Sequence, residues 1–512
     1  MKLPTRVEWA AAVATAILLL LSFPDFDLSF LAWIALVPLM FVVAQRPSAL
    51  KAFSLGWFAG TVFFYGSCYW LTYSMIHYGG LPTVVAYLLL IPGAAVVGLF
   101  PALFALVLAV VVKRWGLWAV LAAPAIWATS EWARLGVTGQ LWNALGYSLA
   151  YHPKLIQPAS WGGVYAVGFL IVVINAAVVL SILKRTVGTV ITALVLPLAV
   201  GFVILLAPFL PNHAYTSSDI SSVNVIAVQP NVPMALEKTT AEINALRERH
   251  LTLSQSALAT LPEGYRPRLV VWPESPMNFT YASDKTFQDW VAQFARENHT
   301  SLILNSLEPA GPDAYYNAAL LINEDGRMIA QYDKIRLMPF GEYVPLPRWL
   351  PGASLITALV GEFTPGDKYT LMPIDEHRIG VFICIESAYP WIARELTREG
   401  ADVLINISND GYLGPTAVMR QHLANAIFRA VENGRPVLRV TNSGISAWID
   451  DEGKILDHTV PFREEVREWR LDKPRIESTF YTRHGDVFVH ICAAFTLIML
   501  AAALFTRRKS LS

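Results

Sequence analysis

Apolar runs long enough to cross a lipid bilayer recur along this chain, and they constrain its fold more than any other feature. A helix needs about 20 apolar residues to span a hydrocarbon core of about 30 Å. Runs of roughly that kind fall at residues 7–24, 29–45, 52–74, 82–112, 116–134, 163–183, 187–209 and 487–506. These eight predict a transmembrane helical bundle. The first follows a basic start and is Leu-rich, like a secretion signal. However, Phe23-Pro24-Asp25-Phe26-Asp27 stands where a small-residue cleavage site would be, and a second run begins at once.

Charge supplies an orientation for the eight. Lys2 and Arg6 precede the first run, Arg46 and Lys51 separate the second and third, and Lys113 and Arg114 the fourth and fifth. Lys184 and Arg185 separate the sixth and seventh, and Arg507, Arg508 and Lys509 follow the eighth. Every basic cluster falls on one side if both termini are cytoplasmic, as the positive-inside rule requires. The block 212–486 then lies on the extracytoplasmic side. Composition agrees with a split of this kind: 54% of the 512 residues are hydrophobic and only 15% charged, low for a soluble protein. The overall balance of 39 basic and 39 acidic residues hides an asymmetry, because residues 212–486 hold 26 of the former and 35 of the latter. No basic stripe interleaved with aromatics points to nucleic acid. Three cysteines, Cys68, Cys384 and Cys492, fit neither a disulfide framework nor a metal-binding pattern. Cys68 and Cys492 fall inside apolar runs and read as packing residues.

Within 212–486 the pattern changes to short β-rich runs alternating with helical ones. Residues 222–232, 268–272, 301–306, 318–323, 379–385, 402–408 and 436–441 read as strands, and 416–432 as a helix. Asp325-Gly326 and Glu452-Gly453 mark tight turns between strands, and the alternation predicts an α/β sandwich. Three strand ends carry polar groups: Glu274 after Val-Val-Trp-Pro, Lys334 after Tyr-Asp, and Cys384 with Glu386 two residues on. Cys384 and Glu386 share a side if the strand continues through them. A thiol attacks only as its thiolate, a carboxylate can take its proton, and a lysine can stabilise an oxyanion. Glu274, Lys334 and Cys384 together make a complete set for acyl transfer. Carboxylates and lysines at strand ends are also commonly solvated or paired, so spacing leaves both readings open. Glu131 and Arg134, three apart in the fifth run, are expected to pair with each other, since ionisable groups in a membrane are costly alone. His422 is expected to be a structural hydrogen-bonder.

The order of motifs goes further. W-P-E at 272–274, Lys334 with P-F-G-E at 339–342, and C-x-E at 384–386 resemble the three signature regions of the nitrilase superfamily, as does the stretch 404–411 that follows. With its membrane spans, the chain is similar to the membrane-embedded branch of that superfamily, the apolipoprotein N-acyltransferases. Phe23-Pro24, residues 31–38, the Pro124, Trp127, Glu131, Arg134 set, Trp142 with residues 146–148, and the stretch from Gln421 to Gly444 also carry the resemblance. It extends over nearly the whole chain. Departures are Ile385 where the family often has tyrosine, Tyr412-Leu413 where it often has Trp-Phe, and Lys238 where a lid aromatic is expected.

The resemblance implies a multi-domain protein. Helices one to seven occupy 1–211, a periplasmic nitrilase-like αββα sandwich occupies 212–486, and helix eight with a basic cytoplasmic tail occupies 487–512. It implies an acyltransferase in a bacterial inner membrane. An acyl chain passes from a phospholipid, at its sn-1 position, to Cys384 as a thioester. It passes next to the α-amine of an S-diacylglyceryl-cysteine on an apolipoprotein. Glu274 is the general base, Lys334 the oxyanion stabiliser, and Glu342 and Glu386 supporting residues. The resemblance implies no cofactor and no metal, and a monomer is expected. The alternative is a membrane-tethered amidase acting on small amides, with water as acceptor.

Overall fold

The structure, a computed structural model, describes residues 3–45, 48–206, 222–234, 239–261, 268–274, 279–312, 314–339, 341–343, 363–472 and 478–505. Lys2, Arg46, Lys238, Phe340 and Arg507–Lys509, on which the sequence reading drew, lie outside the described residues. The chain divides into two compact units, one of Met1–Asn212 with Thr479–Ser512 and one of His213–Ser478.

The first unit is helical. Among the described residues, four helices are long and apolar enough to cross a membrane: Thr83–Trp115, Ala159–Leu183, Val187–Leu206 and Val487–Phe505. Arg6–Ser22 and Ala49–Ser67 fall on two further expected spans, with 17 and 19 residues. Three expected spans are broken: 52–74, where Ala49–Ser67 is followed after a gap by the separate helix Leu71–His77, and two that break at a proline. The run 29–45 is a 3₁₀ turn, Ser29–Trp33, and a separate eight-residue helix, Val37–Ala44, with Pro38 in its first turn. The run 116–134 is a 3₁₀ segment, Leu117–Ala122, followed by Ala123–Thr138 with Pro124 in its first turn. Proline lacks the N–H that a continuing helix needs, but it suits a helix start. Ala159–Leu183 kinks at Gly162 and Gly163. Gly163 has φ +64°, and a Cβ there would lie 2.9 Å from the buried Tyr481 ring, so only glycine gives both the bend and the space.

Glu131 and Arg134 are both buried on Ala123–Thr138, but they make no direct ion pair. Glu131 Oε1 accepts the Leu145 N–H at 2.7 Å, and Arg134 Nη1 donates to the Trp142 carbonyl at 2.6 Å. The two opposite charges attract each other, as expected, but their hydrogen bonds go to the segment Trp142–Leu145, whose backbone groups needed partners in a buried turn.

The second unit is a sandwich of two six-stranded sheets, with twelve strands among its described residues. They are β1 (Ser222–Gln229), β2 (Arg268–Val271), β3 (Ser301–Pro309), β4 (Tyr315–Ile322), β5 (Met328–Asp333), β6 (Leu371–Ile374), β7 (His377–Ile383), β8 (Val403–Ser408), β9 (Val437–Thr441), β10 (Ala447–Ile449), β11 (Ile455–His458) and β12 (Glu465–Asp472). One sheet runs β12-β1-β2-β3-β4-β5 and the other β11-β10-β9-β8-β7-β6. Each has a parallel trio at its centre (β1, β2, β3 and β7, β8, β9) with antiparallel strands outside it. The parallel strands are rich in Val, Ile and Leu on both faces because both faces are covered. The turns at Gly326 and Gly453 join β4 to β5 and β10 to β11, as expected.

On the outer face of the first sheet, Ile226, Val228, Val270, Trp272, Leu302 and Leu304 pack against Phe287, Val291 and Phe294. Those three share one face of the helix Lys285–Asn298 at i, i+4, i+7 spacing. The helix Val418–Asn433 is buried at every position but Arg420. The parallel trios point β2, β7 and β8 so that Glu274, Cys384 and Asn409 follow on their C-terminal ends.

Candidate active site

Trp272 anchors the first of these ends. Its ring is buried and its Nε1–H donates to Ser254 Oγ at 3.0 Å. Pro273 then stops the ladder, having no N–H to give, and Glu274 turns away from the sheet. The antiparallel strand β5 ends at Asp333 and delivers Lys334, whose side chain is 1% exposed. Lys334 Nζ lies 3.2 Å from Glu274 Oε1 and 2.9 Å from Glu342 Oε1.

An ammonium buried to that degree would normally lose its proton. Here burial pulls the pKa down, but the two carboxylates beside it outweigh burial and hold it well above the usual lysine value. Asn317, on β4, completes the arrangement: its Nδ2 donates to Glu274 Oε1 at 2.9 Å and to Glu342 Oε1 at 2.6 Å. The same Glu274 carboxylate accepts the Asn409 N–H at 3.1 Å on its other oxygen, and Glu342 Oε2 accepts the Met338 N–H at 2.7 Å.

Cys384 does not extend β7. The strand stops at Ile383, and Cys384 opens a 3₁₀ turn, Cys384–Ala388, with φ +52°. The expectation that Cys384 and Glu386 share one side of a strand is therefore corrected. The left-handed residue ends the ladder, and Glu386 folds back beneath the turn. Its Oε2 accepts from the Ile383 N–H at 2.7 Å and its Oε1 from the N–H groups of Ile335 and Arg336 at 2.7 and 3.0 Å. The Tyr332 hydroxyl donates to both oxygens, at 3.0 and 2.9 Å. Burial still pushes the Glu386 carboxyl up to about 7. This carboxylate ties the segment bearing Lys334 to the segment bearing Cys384.

The Cys384 thiol is half-buried, and burial raises its pKa strongly. Glu274 raises it further, while Lys334 opposes both. The resting thiol is thus protonated, with a carboxylate and an ammonium as its charged neighbours. That combination can remove a thiol proton, hold a negative charge and return the proton.

A second polar cluster lies behind the nucleophile. His422, on the helix Val418–Asn433, meets the Cys384 carbonyl with Nε2 at 2.9 Å and Asp410 Oδ1 with Nδ1 at 2.8 Å. This matches the structural role expected of it. Asp410 Oδ2 accepts from Arg439 Nη2 at 2.6 Å, and Arg439 Nη1 donates to Asn406 Oδ1. Burial alone would raise the Asp410 carboxyl, but the Arg439 guanidinium and His422 hold it below the usual carboxylate range. Gly444 lies against this carboxylate; a Cβ there would collide with Asp410 Oδ2.

The structure brings Glu274, Lys334, Glu342, Cys384 and Glu386 into one cluster. Sequence reasoning missed Asn317, and it placed Asp410 and Arg439 in stretches that carry the family resemblance without giving either a role. Asn317 sits in an otherwise apolar strand, and a buried-strand asparagine or arginine needs a buried partner. That is the signal they gave.

Comparisons with known proteins bear on both units. Residues 15–177 match the family described as apolipoprotein N-acyltransferase N-terminal domain, and residues 225–481 match carbon-nitrogen hydrolase. The chain is similar to the apolipoprotein N-acyltransferase of Geobacter metallireducens, 33% identical over 99% of this chain and 96% of that one. It is also similar to that of Agrobacterium fabrum, 30% identical over 98% and 96%. Among solved structures, similarity extends to Saccharomyces cerevisiae Nit3 of the nitrilase superfamily, 19% identical with TM-score 0.38, over 58% of this chain and 100% of that one. It extends also to an amidase from Nesterenkonia sp. AN1, 17% identical with TM-score 0.38, over 54% and 99%.

Proposed function

Because the chain belongs to the apolipoprotein N-acyltransferase family, and so is an acyltransferase with a carbon-nitrogen hydrolase domain, we propose that it moves an acyl chain through a thioester on Cys384. The donor is a membrane phospholipid, deacylated at sn-1. The acceptor is the α-amine of the S-diacylglyceryl-cysteine that begins an apolipoprotein, and the product is a triacylated lipoprotein.

One observation carries this reading: a single buried lysine is shared by two carboxylates, and one of those, Glu274, borders the thiol. Glu274 accepts the thiol proton as Sγ attacks the ester carbonyl. Lys334 Nζ and backbone N–H groups stabilise the oxyanion. The C–O bond breaks, the proton passes from Glu274 to the leaving oxygen, and lysophospholipid departs. In the second half the amine nitrogen attacks the thioester carbonyl and Glu274 takes the amine proton. The C–S bond then breaks, and the proton returns to sulfur. This is ping-pong covalent catalysis. Glu342 keeps Lys334 charged and in place through both halves, and Glu386 holds the nucleophile's turn.

The same reading takes all eight apolar runs as spans, with cytoplasmic termini and the catalytic unit on the periplasmic side of a bacterial inner membrane. The basic residues Lys51, Lys113, Arg114, Lys184 and Arg185 between runs support it. The enzyme acts as a monomer.

Purified full-length protein in detergent, given a phospholipid with a labelled sn-1 chain, forms a hydroxylamine-sensitive adduct that Cys384→Ala abolishes. Mass spectrometry of the Cys384 peptide reads nucleophile and donor position together. An adduct that survives the substitution, or one carrying the sn-2 chain, overturns the corresponding part.

A further inference from the structure

The turn that opens on Cys384 is held from behind, through the carbonyl of the nucleophile itself. A side-chain-bearing residue stays at φ +52° only where its surroundings impose that conformation. Glu386 fixes the peptide before it by accepting the Ile383 N–H. The Cys384 carbonyl accepts from His422 Nε2 at 2.9 Å and from Asn406 Nδ2 at 3.4 Å. A carbonyl only accepts, so Nε2 carries the proton.

Both donors are set by one buried cation. Arg439 reaches Asn406 Oδ1 with Nη1, and its Nη2 reaches both the Asp410 carboxylate and, at 3.0 Å, His422 Nδ1, which accepts because the ring proton is on Nε2. His422, Asp410, Asn406 and Arg439 are all at most 2% exposed, so water cannot substitute for any of these bonds.

Peptide planarity carries this clamp to the reacting side. In a trans peptide the N–H of the following residue points opposite to the carbonyl. Fixing the Cys384 oxygen on His422 therefore aims the Ile385 N–H away from His422. That N–H lies in the first turn of the 3₁₀ segment, where backbone donors have no partner within the helix. It is also the donor adjacent in the chain to the attacking sulfur.

We propose that His422 is a positioning residue for acyl transfer: it holds the Cys384–Ile385 peptide so that the Ile385 N–H faces the oxyanion formed when Sγ attacks. The proposal rests on the acyl-carrier reading above. It differs from a purely structural role in one respect, because it requires a proton donor at the Nε2 position and not merely a polar side chain of similar size.

Two variants separate these roles in the full-length protein. His422→Gln keeps an amide N–H at the Nε2 position, whereas His422→Asn reaches only the Asp410 side. The measurement is the rate of Cys384 acylation at saturating phospholipid labelled in its sn-1 chain, with the half-saturating lipid concentration. His422→Asn is expected to slow acylation ~100-fold, the scale of losing one oxyanion donor, with half-saturation unchanged. His422→Gln is expected to recover to within about tenfold of the unsubstituted protein. Equal losses in the two variants, or His422→Asn acylating at the full rate, overturn the proposal. If the unsubstituted protein forms no adduct, the acyl-carrier reading fails and this inference fails with it.

Discussion

Two polar clusters meet at Cys384, and they differ in charge balance. In front, Glu274 and Glu342 share one ammonium, so one carboxylate charge is in excess, and both side chains keep about a tenth of their surface accessible. Behind, Asp410 faces one guanidinium, and none of its members is more than 2% exposed. Glu274 can take a proton without stranding Lys334, because Glu342 continues to neutralise it. No member of the rear cluster can change charge without leaving a buried ion unpaired, which typically costs about 3–5 kcal/mol. On the mechanism proposed above, the spare charge belongs to the cluster that moves protons, and the matched charge to the one that holds shape.

The sharpest way to break this contrast is to neutralise one carboxylate in each cluster. Glu274→Gln keeps the volume and a hydrogen-bonding oxygen but removes the base. Acylation of Cys384 is expected to fall ~10³-fold, within the range of general-base loss, while the thermal midpoint hardly moves. A large fall in stability would place Glu274 among the structural groups instead.

Asp410→Ala should do the reverse, stranding Arg439 and lowering unfolding free energy by about 4 kcal/mol in denaturant titration. A melting curve like that of the unsubstituted protein would end the distinction between the clusters.

A buried group with no counter-charge sharpens it further. His250 lies against Trp272 and Phe279, its Nδ1–H donating to the Leu246 carbonyl, and burial pulls its pKa down to about 4. An unfolded histidine titrates near about 6.5. Between those values the unfolded chain binds the extra proton, so the contribution is complete above about pH 6.5 and lost as pH falls toward about 4. The total is roughly 3 kcal/mol. His250→Phe should flatten that part of the stability profile, measured by denaturant titration from about pH 7 to about pH 4. An unchanged slope would mean that His250 is not the group responsible.

The candidate site was legible in the sequence because strand ends carry plain signals. Pro273 stops β2, and the stretches Ile379–Ile383 and Leu404–Ser408 contain no charged residue, so the polar groups just beyond them stand out. Backbone handedness was not legible. Nothing in the pattern around Cys384 distinguishes a continuing strand from a left-handed turn, because the turn is imposed by Glu386 and His422 through hydrogen bonds that spacing does not reveal. Partner choice was equally hidden. Spacing puts Glu131 and Arg134 on one helix face, but the backbone of Trp142–Leu145 takes both. Asn317 drew no attention because one amide in an apolar strand says that a partner exists, not which one. Helix breaks at Pro38 and Pro124 were written in the sequence, and hydropathy alone passed over them.

The kink at Gly162 and Gly163 has a consequence for biosynthesis. The ring that fills it, Tyr481, comes after all of His213–Ser478, and so do Phe488, which meets Phe169 edge-on, and His490, which meets Trp132. A ribosome therefore delivers the whole sandwich before it delivers the pieces that finish the helical unit. The sandwich, continuous in sequence, can fold while its host still has an open seat. The segment from Thr479 on closes that seat only after about 266 residues have gone by, so a chain interrupted during the sandwich leaves the helical unit unfinished as well.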